Sequence, residues 1–210
     1  MRFLNTLVSL FKLDLDDKLE LEERNRILLS NLYNFLMFLI VFAEGIYALM
    51  TEVILYAGPL LLFSLLYLVN FLFLGRQSRS TYYRFFLLLM SYLSLGFFAT
   101  FGGSSGLGAA WSLLFPLFVI PILGKHKGAV HSLTMLGIIA FAMFVLTAII
   151  PGIQAISMSQ KVIFAGLYIS MFFVSYALQY ISNEVILDKE KIMLNSQNIS
   201  RTQDEHISRL

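Results

Sequence analysis

Residues 27–49 read ILLSNLYNFLMFLIVFAEGIYAL, twenty-three residues that carry one charge, Glu44. A helix that crosses a bilayer needs about 20 predominantly apolar residues, and this stretch meets that length with almost no interruption. Working outward, five further stretches have the same character: Val53 to Leu74, Phe85 to Phe101, Ala109 to Gly124, Ala129 to Ile150, and Val162 to Ile181. Runs such as Leu60-Leu61-Leu62-Phe63 and Leu87-Leu88-Leu89-Met90 do not alternate in the way barrel strands do, so helices are expected throughout. The whole chain agrees: 58% of its 210 residues are hydrophobic and 13% are charged, against about 25% charged in a soluble domain. The expected fold class is all-α, a polytopic membrane protein with six transmembrane helices, placed in the inner membrane with the lipid bilayer as its first partner.

The basic residues orient this plan, because cytoplasmic connections carry an excess of Lys and Arg. Arg2, Lys12, Lys18, Arg24 and Arg26 precede the first span; Arg76, Arg79 and Arg84 lie in the second connection; Lys125 and Lys127 lie in the fourth; Lys189, Lys191, Arg201 and Arg209 lie in the tail. Fourteen of the 15 basic residues therefore fall on one side, with Lys161 the exception, and both termini are expected in the cytoplasm. The outer connections, 50–52, 102–108 and 151–160, are too short for a folded external domain, so any outside signal must be read by the bundle itself.

Three regions follow: a cytoplasmic amphipathic and charged segment (1–26), the six-helix membrane domain (27–182), and a cytoplasmic linker (183–210). In the first, Phe3, Leu4, Leu7, Val8, Leu10 and Phe11 share a helical stripe suited to the inner leaflet. In the last, Leu178, Val185, Ile192 and Ile199 recur at sevenfold spacing, offset by three from Ile181, Asp188, Asn195 and Thr202. This is the spacing of a coiled coil with an apolar row and a polar row, which predicts a homodimer through the C-terminal helix; a merely amphipathic juxtamembrane helix is the alternative reading of the same residues. The polar row weakens the seam, which suits an element that shifts between two states. A cytoplasmic output domain is expected to follow Leu210.

Intramembrane ionisable residues are costly and mark candidate sites. Glu44 is the first, with Tyr47 three residues on and on the same face. His131 is the second, close enough to Lys125-His126-Lys127 to reach the interface, and with no Asp, Glu or His at metal-ligand spacing. The amides Asn31, Asn34 and Asn70 read as helix-packing contacts. No cofactor is implied, and no catalytic signature such as GxSxG, HExxH or a Walker run occurs, so this segment is not expected to be an enzyme. The low net charge of +2 gives no nucleic-acid patch.

The most particular segment is Gly102, Gly103, Ser104, Ser105, Gly106, Leu107, Gly108, Ala109, Ala110 and Trp111. Its glycines permit a tight turn with bare backbone amides, and Trp111 sits where an interfacial anchor is expected. Pro116 and Pro121 follow, expected to kink the fourth span, and Gly124 and Gly128 come after them.

The run G-G-x-x-G-x-G-x-x-W, then Phe115-Pro116, then Gly124 and Gly128, resembles the six-helix input region of bacterial diguanylate cyclases and sensor histidine kinases. In that group an acidic residue commonly precedes the third glycine, and Ser105 stands there instead. The resemblance implies a sensory domain for a small lipophilic or amphiphilic ligand, or for the state of the membrane. Its candidate contacts are Glu44, Tyr47, Gly102, Gly103, Ser104, Ser105, Gly106, Gly108 and Trp111. The signal would pass through Pro116, Pro121 and the Leu178, Val185, Ile192, Ile199 row to an output enzyme of the cyclase or kinase type. A small transporter or channel, and a passive dimerising anchor of an adenylyl-cyclase-like enzyme, are the rival readings.

Overall fold

A computed structural model describes residues 21–74, 81–101, 108–146, 149 and 157–207. Among these residues the chain is helical and has no strand. Helix α1 spans Leu21–Met50, α2 Ile54–Leu74 and α3 Thr81–Phe101. A 3₁₀ segment, Gly108–Leu113, runs directly into α4, Leu114–Leu123. Helix α5 spans Lys125–Phe141 and continues as a π-helical turn, Ala142–Leu146, and α6 spans Met158–Ile207. Five of these helices are long and apolar enough to cross a membrane, and Gly108–Leu123 is a shorter apolar helix. The amphipathic stripe at 3–11 and the glycine run from Gly102 to Gly106 lie outside the described residues.

The bundle buries polar side chains within its apolar core and turns large apolar side chains outward. Asn31, Asn34, Asn70, Ser91, Ser94 and Ser132 are buried, as are the rings of Tyr33, Tyr67 and Tyr168, whereas Leu62, Leu65, Phe85, Val130, Leu133 and Phe173 face outward. In water this would be an unstable arrangement. Next to lipid it is the expected one, because acyl chains solvate leucine as well as a protein core does, so helices associate through close packing and interhelical hydrogen bonds.

The connections explain which helices meet. Thr51–Val53 turns tightly, with Thr51 N–H donating to Tyr47 O at 3.0 Å and Val53 N–H to Ala48 O at 3.0 Å. Glu52 takes a positive φ of 61° there, and α1 and α2 form the most extensive helix pair as a result. The α4–α5 turn is tighter still. Gly124 adopts φ +83°, a conformation that favours glycine. One turn on, a Cβ on Gly128 would lie 2.4 Å from the Ile120 Cα and 2.8 Å from the Val119 carbonyl oxygen. The two helices thus touch backbone to backbone, which accounts for the glycine pair at this spacing.

Helix α4 is the hub of the bundle: it packs against α1, α5 and α6, and buries Phe115, Pro116, Val119, Ile120 and Ile122. Pro116 lies in its first turn, where a missing N–H is tolerated, and Pro121 lies inside the helix.

Candidate functional site

The charged residues divide the bundle into two ends. At one end Arg84 of α3 pairs with Glu23 of α1, and Lys125 of α5 places its Nζ over the rings of Tyr176 and Tyr180 of α6, at 5.6 and 4.7 Å from their centroids. Arg26 lies beside Gly124 at this same end. At the other end Lys161 sits 4.8 Å over the Phe144 ring, and there Glu44 is found.

Glu44 is half-buried near the C-terminus of α1. The Trp111 indole Nε1–H of the 3₁₀ segment donates to its Oε1 across 3.4 Å. Two residues 67 positions apart, each singled out from sequence for a separate reason, are therefore neighbours. Trp111 packs its ring against the hydrophobic core, and Gly108, at the start of the same 3₁₀ segment, is buried. Tyr47 does not join them: its side chain is half-exposed, and its carbonyl instead closes the Thr51 turn. Gly102, Gly103, Ser104, Ser105 and Gly106 lie outside the described residues.

A residue that sequence reasoning missed completes this group. Tyr56 of α2 is buried, stacks on Phe97 at 5.2 Å with an interplanar angle of 16°, and stands within electrostatic reach of Glu44. Its hydroxyl has no hydrogen-bond partner among the described residues. A carboxylate, an indole N–H and an unsatisfied phenol thus converge at one end, walled by Phe97 and Phe101. Such a group is chemically suited to a small amphiphile with a hydroxyl or amine head. Only the position of Tyr56, just past a tight turn opposite Glu44, signals it in the sequence.

The middle of the bundle holds a second polar group. The Tyr67 hydroxyl donates to Ser91 Oγ at 3.3 Å and lies 2.9 Å from Ser94 Oγ, joining α2 to α3. Asn70 Nδ2 donates to Asn34 Oδ1 at 2.9 Å, joining α2 to α1, so these two amides are indeed a helix-packing contact. Tyr168 of α6 donates to the Ser132 carbonyl at 2.9 Å. The partly exposed His131 of α5 meets Tyr92 of α3, whose hydroxyl is 2.8 Å from Nδ1 and 3.0 Å from the His131 carbonyl oxygen. No cluster of metal-ligating side chains occurs among the described residues.

One further contact ties the hub to the long helix. Ser175 Oγ of α6 donates to the Pro116 carbonyl at 2.8 Å, one turn before Leu178. Leu178 and Val185 are exposed on α6, and the side chains of Ile192 and Ile199 lie outside the described residues. Comparison of the chain with known protein families, with curated proteins and with solved structures finds no match.

Proposed function

We propose that the chain is a sensory membrane domain of six spans with both ends in the cytoplasm. A small lipophilic or amphiphilic ligand, or the membrane itself, would be read at Glu44, Tyr56 and Trp111 and passed through α6 to a dimeric cytoplasmic output enzyme of the diguanylate cyclase or histidine kinase type. The observation that carries this reading is α6: one unbroken helix of 50 residues, apolar over Met158–Ser182 and polar beyond it. At about 1.5 Å per residue it is ~75 Å long, more than twice the ~30 Å hydrocarbon thickness. A helix that leaves the bundle by about half of this length suits the transmission of a rotation or shift better than it suits a stand-alone carrier.

Two observations support the remaining parts. Six 3₁₀ residues rise about 2.0 Å each and ten α residues about 1.5 Å, so Gly108–Leu123 reaches about 27 Å, close to a full crossing despite its few residues. The 3₁₀ segment also links Trp111 to Pro116 directly, and Pro116 is bonded to Ser175. A ligand that binds two packings of Trp111 unequally would therefore shift α6.

The test is a fusion of residues 1–210 to a diguanylate cyclase catalytic domain, with one to seven residues inserted after Asn195. Output should fall or rise with insertions of one to four and return at seven, since seven residues restore a coiled-coil register. Glu44→Gln and Trp111→Ala should shift basal output severalfold at unchanged expression. Equal output from every insertion and both substitutions would establish a passive anchor instead. One observation favours a transporter as the second reading: Asn34 Nδ2 and Asn70 Oδ1 are buried without partners among the described residues, as polar atoms along a substrate path would be. Solute flux in liposomes by the purified chain would support that reading.

A further inference from the structure

At the basic end, remote from Glu44 and Trp111, a cavity of about 470 Å³ opens between α1, α4 and α6. Its volume lies within the ~300–1,000 Å³ range of small-molecule sites. The lining is graded along the helix axes. Asn25 and Arg26 at the start of α1, with Gln179 and Ser182 of α6, form the end nearest the polar half of α6. Leu28 and Leu29 of α1 and Leu117 of α4 lie deeper, beside Ser175 of α6, while Leu178, exposed over most of its surface, borders the opening. The Arg26 guanidinium is held in place against the α4–α5 turn, since a Cβ on Gly124 would come within 3.3 Å of its Nη2.

We infer that this cavity binds an anionic amphiphile, a carboxylate or phosphate head on an acyl chain, with the head at Arg26 and the chain along the leucines. A guanidinium presents a planar fork of N–H donors that matches both anions, and amide and hydroxyl groups beside it supply further donors. Basic pockets between membrane helices take anionic lipid headgroups by the same combination. The leucine walls exclude a merely soluble anion as the preferred occupant, because only a chain displaces water from apolar surface. The site is built from α4 and α6 together, and Leu178 and Ser175 are shared with the path from Pro116 into the long helix. On the sensory reading above, occupancy would therefore bias the position of α6. Binding itself stands on the cavity alone.

The experiment measures thermal stabilisation of the purified protein in mild detergent by palmitate, palmitate methyl ester, phosphatidylglycerol, phosphatidylcholine and inorganic phosphate. A diazirine-bearing palmitate maps the contact by cross-linking. Palmitate or phosphatidylglycerol should raise Tm, the first identifying a fatty acid and the second a phospholipid as the fitting source, and cross-links should fall on α1, α4 or α6 near Leu29, Leu117 and Leu178. Arg26→Gln should weaken apparent affinity about tenfold or more, the scale of one lost charge-assisted hydrogen bond, and Arg26→Lys should recover part of it. Leu117→Trp fills the deep end without touching charge and should abolish binding independently. Equal stabilisation by the ester or by phosphatidylcholine would reduce the site to an apolar hole, and equal stabilisation by inorganic phosphate would reduce it to a simple anion site. Either result overturns the inference, as does wild-type binding by both Arg26→Gln and Leu117→Trp. Output of the cyclase fusion is a separate readout: binding without an output change would break the coupling and leave the site.

Discussion

The α4–α5 hairpin and helix α6 meet in the same bundle but are held by different means. The hairpin is locked backbone to backbone at Gly128 and Ile120, around a glycine turn at Gly124. Helix α6 is attached by side chains: Ser175 to the Pro116 carbonyl, Tyr168 to the Ser132 carbonyl, and Lys125 over Tyr176 and Tyr180. Only 17% of its membrane segment is buried, against half of α3. Close-packed backbone contacts leave the hairpin one arrangement, whereas α6 relies on these polar contacts and on the side-chain packing of Phe164 and Tyr168 against the core. On the proposed sensory reading, the contrast makes α6 the helix expected to move and the α4–α5 hairpin its fixed reference.

The largest expected effect comes from breaking the fixed half. Gly128→Leu places a side chain into the backbone of Ile120, and no rotamer relieves a Cβ at 2.4 Å. Overpacking costs about 1–3 kcal/mol where side chains can yield, and backbone yields less, so this variant should show the greatest fall in detergent melting temperature, with Gly128→Ala in the same direction. A Gly128→Ala protein that melts like the wild type would show the hairpin is not the rigid half.

Next in size is the α2–α3 tie within the fixed part. Tyr67→Phe removes the hydroxyl shared with Ser91 and Ser94 while keeping the ring volume. Both serines lose their partner on α2, but Ser91 retains its own bond to the Leu87 carbonyl at 2.7 Å. A loss of about 1 kcal/mol is expected, read as a smaller melting shift than Gly128→Leu produces. Ser94→Ala combined with Tyr67→Phe should cost little more than Tyr67→Phe alone, because the two share one interaction.

These effects also show which features a sequence carries openly. Helical class and span positions were legible because length and hydropathy are local properties: the expected 27–49 and 53–74 became Leu21–Met50 and Ile54–Leu74. Glu44 and Trp111 stood out as a lone carboxylate and a lone tryptophan in apolar surroundings. Their meeting did not, since partners 67 residues apart leave no periodic mark. Tyr56, Tyr67 and Ser94 went unnoticed for a related reason. Serine and tyrosine are ordinary in membrane helices, and only a partner on another helix distinguishes them. Gly124 and Gly128 were visible as a pattern, but its cause lies in Ile120 on the neighbouring helix. The fourth apolar stretch is a shorter helix whose 3₁₀ start at Gly108–Leu113, with its larger rise per residue, leaves no mark in hydropathy.

The smallest effect on stability belongs to the movable half, and there the two readouts should separate. Ser175→Ala removes the one hydroxyl that ties α6 to the hub at Pro116. Interhelical hydrogen bonds in membranes contribute about 0.6 kcal/mol on average, so the melting temperature should hardly move. The position of α6 should move more, because a bias of that size changes the ratio of two nearly equal packings by about threefold. In the cyclase fusion, Ser175→Ala should therefore alter basal output about threefold, and Ser175→Thr, which keeps a hydroxyl, should restore it. Gly128→Ala supplies the opposite pattern, a marked loss of stability with output per folded molecule little changed. If Ser175→Ala and Gly128→Ala change output in proportion to stability alone, the fixed hub and the movable helix are one cooperative unit, and the distinction between them fails.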